Sequence, residues 1–75
     1  MAKADAVGSA VYKVVEVIGT STQSWEDAAK NAVETAGHTL RDLRVAEVMK
    51  TDMTVKGGKV QLYRTRVLLS FKYGS

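Results

Sequence analysis

The chain has 75 residues, eleven Lys and Arg against eight Asp and Glu, a formal net charge of +3, one histidine, and neither cysteine nor proline. Disulfide frameworks and cysteine-based zinc sites are therefore excluded, and a lone His38 makes no transition-metal site. A chain this short buries only about 60% of its unfolded surface, so it needs reinforcement, and with disulfides and a metal set aside oligomerisation is the remedy left.

No apolar run approaches the roughly 18 residues that span a bilayer. The opening MAKADAVGSA has no apolar core of the kind a signal peptide carries. A cytoplasmic protein with no membrane partner is the expectation, and the absence of cysteine fits a reducing compartment. The pI of about 9.4 invites a nucleic-acid reading. Acids and bases alternate along the chain, however, and there is neither a lysine run nor an RGG segment, which argues against one.

Residues 1–10 are small and polar and read as a loose arm. VYKVVEVIG, Val11 to Gly19, is β-branched and bounded by glycine, which predicts a strand. Its Tyr12, Val14, Glu16 and Ile18 share one face, and Val11, Lys13, Val15 and Val17 the other. Ser24 with Asp27 three residues on is a helix-start pattern, supported by Glu26 and Asp27 at the positive end of the helix dipole. The helix that follows carries a mostly alanine stripe: Trp25, Ala28, Ala29, Ala32, Val33, Ala36 and Leu40. Such a stripe lets a helix sit close to a sheet while burying little area. Gly37 loosens or ends the last turn.

Gly57-Gly58 is a strong hairpin signal between two apolar runs. A two-residue loop sets Val55 against Val60, Met53 against Leu62, Thr51 against Arg64, Met49 against Arg66 and Glu47 against Leu68, all on the face of Val45. The opposite face holds Ala46, Val48, Asp52, Tyr63, Val67, Leu69 and Phe71, the expected floor for the helix. The first face is then left uncovered with Val45, Met49, Met53, Val60, Leu62 and Leu68. Exposed apolar area of this extent marks an interface or a ligand site, and symmetric self-association is its common solution. The predicted fold class is α+β: a β-α-β-β chain whose three-stranded antiparallel sheet partly wraps one helix.

No constellation for catalysis emerges, since His38 has no nucleophile or carboxylate at a motif spacing. Gly57-Gly58 fits neither a dinucleotide nor a P-loop pattern. Trp25 falls on the alanine stripe and reads as a core anchor. On the uncovered face Glu47, Arg64 and Arg66 stand among Val45, Met49 and Leu68, with Glu47 diagonal to Arg66. Two readings stay open there: an ion-pair network inside a subunit interface, or arginines holding an anionic or polar ligand.

VYKVVEVIGTSTQSWEDAAKNAV, TLRDLRVAEV and YRTRVLLSFKY, in that order, resemble the dodecins over nearly all of Val11 to Tyr73. The resemblance implies one dodecin-like domain over residues 11–73, assembled into a hollow dodecamer of identical subunits, helices outward. It also implies a non-enzymatic role, the binding and storage of flavins stacked in pairs on tryptophans from symmetry-related subunits. By family position, Val45 stands where that tryptophan would be and Arg64 where a glutamine would bond the isoalloxazine edge; Glu47 alone matches. Valine has no π face, and arginine has donors only. The expectation is therefore a binding site made of Val45, Glu47, Arg64 and Arg66 in which flavin binding is weakened or altered. The pattern is also similar to the calcium-dodecin branch, which implies calcium as an alternative ligand and Glu16, Glu47 and Asp52 as its oxygen donors. A purely structural shell is the remaining alternative.

Overall fold

The computed structural model describes residues 10–73; the expected arm over residues 1–10 lies, but for Ala10, outside the described residues. The element order is β1 (Val11–Ser21), α1 (Trp25–Gly37), β2 (Leu43–Lys56) and β3 (Lys59–Tyr73). All strand pairings are antiparallel, and β3 is central, in the order β1-β3-β2. The β-α-β-β expectation and its three-stranded antiparallel sheet hold.

The link between β1 and α1 is built by hydroxyls. Ser24 caps the helix by accepting the Asp27 N–H at 2.9 Å, as the helix-start pattern predicts. β1 runs two residues past Gly19 to Ser21, whose hydroxyl donates to Asp27 Oδ2 at 2.7 Å and accepts the Gln23 N–H at 2.8 Å. Gly19 does not end the strand; it lets the helix in. A Cβ there would lie 2.0 Å from the Ala28 carbonyl oxygen and 2.9 Å from Ala32 Cβ. The alanines of α1 complete this close approach, and Ala28 and Ala32 are buried against the strand.

Helix α1 ends at Gly37, and Leu40, which the stripe predicts to be helical, instead packs on the core after the turn. His38 is the exposed C-cap residue. Asp42 takes the left-handed conformation, φ 56°, and its carbonyl accepts the Lys72 N–H at 3.1 Å, which fastens the loop to β3. Gly57 and Gly58 both have positive φ, 60° and 75°, as a two-residue hairpin turn requires.

Register in the hairpin differs from simple alternation. Val55 opposes Val60 and Glu47 opposes Leu68 as predicted, but between them the pairing is displaced by one residue. Gln61 is extra on β3 beside Thr54, and Met49 is extra on β2 beside Val48. Thr54 stabilises the first bulge by accepting the Leu62 N–H at 3.1 Å. Inside this window Lys50, Thr51, Asp52 and Met53 face Arg66, Thr65, Arg64 and Tyr63. Two bulges of opposite sense cancel, so the ends of the hairpin agree while its middle swaps faces. Asp52 therefore lies on the side away from the helix and Met53 on the helix side, the reverse of the expectation.

The core is small: Val67 and Leu69 on β3 with Ala32 on the helix, flanked by half-buried Val15, Val17, Ala29, Val33 and Leu43. Helix α1 covers β1 and β3 and touches β2 little. Val48, predicted as helix floor, accordingly remains 55% exposed. The radius of gyration is 15.4 Å, against about 11 Å for a compact domain of this length. The excess comes from two strands of 14 and 15 residues that outrun the helix covering them.

Candidate functional site

The side of the sheet turned away from α1 is assembled by alternation along β3. Thr65, Val67 and Leu69 point to the helix and are buried, so Arg64, Arg66, Leu68 and Ser70 point away. The β1 partners of these four are Thr20, Ile18, Glu16 and Val14, and their β2 partners are Asp52, Lys50, Glu47 and Val45. Val14, Ile18 and Val45 are each about half exposed. This face carries apolar side chains and both signs of charge, and among the described residues no element covers it.

Two ion pairs organise it. Arg64 binds Asp52 through a fork, Nε to Oδ1 at 2.7 Å and Nη2 to Oδ2 at 2.8 Å. The hydrogen bonds from Arg64 hold the Asp52 carboxyl below its usual range against the smaller opposing effect of burial, and the same bonds raise Arg64. The Asp52 carbonyl also accepts the Trp25 indole N–H at 2.8 Å, and the indole meets Tyr63 edge-on at 5.2 Å. Trp25 is thus an anchor between helix start and hairpin. Arg66 pairs through Nη1 with Glu16 Oε2 at 3.1 Å. The partner predicted from the hairpin alone was Glu47, but the central position of β3 offers Arg66 a carboxylate from β1. Among the described residues Glu47 has no ion-pair partner.

The predicted site residues fall into two groups. Glu16 and Glu47 both oppose Leu68 from its two sides, their backbones about 10 Å apart across two strand spacings. Arg66 adjoins them. Asp52 stands apart with Arg64, and among the described residues no three acidic, histidine or cysteine side chains converge on one point. Val45 opposes Ser70, six positions along β3 from Arg64, or roughly 20 Å. The backbones of Val45 and Arg64 in one subunit therefore stand far apart along the same sheet face. The Asp52–Arg64 fork leaves no mark in simple alternation, because its only signal, opposite charges on facing strands, depends on the two bulges.

This arrangement has known counterparts. The family described as Dodecin matches residues 11–74. Calcium dodecin of Mycobacterium tuberculosis is 47% identical over 62 residues, which cover 83% of this chain and 87% of that protein. A crystal structure of calcium dodecin from the same organism superposes with a TM-score of 0.76 at 48% identity, covering 85% of this chain and 91% of that one. Dodecin from Streptomyces coelicolor superposes with a TM-score of 0.85 at 32% identity, covering 92% and 99%. With the family model spanning residues 11–74, a relative 47% identical over 83% of the chain and the same fold in both solved structures, this chain belongs to the dodecin family.

Proposed function

We propose that this protein is a non-catalytic binding and storage protein that works as a homododecameric shell and does not hold flavin by paired stacking. The observation that carries the second half is the state of Arg64. Two of its five donors are held by Asp52, and as a cation it offers no acceptor to an isoalloxazine edge. Val45, half exposed at the family's aromatic position, supplies no stacking surface. These residues do not fit a flavin. Support for the shell comes from the uncovered sheet face, since a subunit with Val14, Ile18 and Val45 bare to water needs a partner there.

Calcium is the second reading, and a specific observation favours it. Glu47 projects from the uncovered face, across Leu68 from Glu16, with no cation paired to it among the described residues. A relative of 47% identity is named for calcium. Calcium takes six to eight oxygens, more than Glu16 and Glu47 of one chain provide, so a second copy would have to complete the set.

Riboflavin titration followed by flavin fluorescence, run beside calcium titration calorimetry, tests both readings. The proposal expects no quenching at micromolar riboflavin, and saturable calcium binding that Glu47→Gln abolishes. Tight quenching of flavin fluorescence would overturn the first reading, and calcium heats unchanged by Glu47→Gln the second.

A further inference from the structure

Beyond Ser21, which pairs with Tyr63, the hairpin continues with no third strand beside it among the described residues. Its tip presents Val55 and Val60 opposite each other, 64% and 48% exposed, followed by the pair Lys56 and Lys59 at the turn. A bare two-stranded projection with an apolar pair is marginally stable in water. At the other boundary of the helix, a groove of about 470 Å³ opens between α1 and β2, with Trp25, Ala29 and Val48 along it and Glu26 exposed at its mouth. It exists because α1 lies over β1 and β3 and leaves the helix side of β2 bare.

We propose that the hairpin tip of one copy seats in the α1–β2 groove of the next. The two surfaces match in chemistry: an apolar valine pair for the Trp25–Val48 wall, and the Lys56–Lys59 pair for Glu26. Within one chain they cannot meet, because the tip points away along the same rigid strands that form the groove. The contact is heterologous, and a heterologous contact generates closed rings when its rotation closes, which a shell requires. Its apolar centre supplies the affinity, and the lysine–glutamate rim sets orientation. This inference rests on the homo-oligomeric reading above and specifies which surfaces meet.

The absence of native cysteine makes the test direct. The full-length Val48→Cys/Val60→Cys chain, assembled and treated with a short bismaleimide, is expected to give a ladder of covalent oligomers joined by a 48–60 link on peptide mapping. Each single-cysteine chain is expected to give none. Links of 60 to 60 or 48 to 48, or no link within an assembled particle, overturn the tip-in-groove contact and leave the oligomer intact. A wild-type chain that never assembles removes the oligomeric reading as well. Charge exchange provides the second arm. Lys56→Glu/Lys59→Glu and Glu26→Lys are each expected to raise the dissociation concentration about tenfold, and their combination to restore it; equal assembly by all variants overturns the proposal.

Discussion

Arg64 clasps Asp52 with two parallel hydrogen bonds, and the backbone carbonyl of that aspartate accepts the Trp25 indole N–H at 2.8 Å. One residue of β2 thereby ties the sheet's middle strand to the start of the helix. The side-chain fork fixes the displaced register between the two bulges, and the carbonyl fixes where the helix begins. Arg64 is a structural element of the subunit before it is anything else.

The fork makes a pH prediction. Asp52 has its carboxyl lowered below the ordinary 3.8 by the Arg64 hydrogen bonds, so its contribution is complete above about that pH. It is lost as pH falls through the lower, folded value. Asp52→Asn is expected to melt slightly below wild type at pH 7 and pH 5, a small gap because the pair is partly solvated. That gap is expected to shrink below pH 4. Melting curves by circular dichroism from pH 3 to pH 8 check it, and a gap that widens on acidification contradicts it.

Gly19→Ala tests the close approach of α1 to β1. The added Cβ would meet backbone, the Ala28 carbonyl oxygen, rather than a side chain that could swing away. The helix must lift, at a cost of about 3 kcal/mol. For a small domain with about 5 kcal/mol in hand that is most of the margin. Urea denaturation should show the midpoint fall steeply; a midpoint within error of wild type would mean the helix sits further out.

Thr65→Val isolates one buried hydrogen bond. Thr65 is 1% exposed, and its hydroxyl donates to the Trp25 carbonyl at 2.8 Å. Valine keeps the shape and removes the donor, so a loss of about 1 kcal/mol is expected, with Trp25 emission as the probe. An unchanged denaturation midpoint would assign Thr65 to packing alone.

Much of this was legible beforehand, for identifiable reasons. Ser24 and Asp27 marked the helix start because capping is a local event. Gly57-Gly58 marked the turn because a positive φ at two successive positions admits little else. The face assignment of Asp52 and Met53 failed because alternation assumes an unbroken ladder. A bulge inside a strand with apolar residues on both faces, such as Val48-Met49-Lys50, leaves no mark in a pattern of period two. The Glu16–Arg66 pair was hidden for another reason: it needs the strand order, and only the structure puts β3 between β1 and β2. The departures at Val45 and Arg64 were visible as residue types, whereas the roughly 20 Å between them was not.

In the proposed shell, other copies of the chain cover the sheet face that α1 leaves bare. Native mass spectrometry at micromolar protein reads that directly. Twelve copies of the 8.1 kDa chain give about 97 kDa, and a single species at that mass is the predicted result. A stable, folded 8.1 kDa monomer would contradict it.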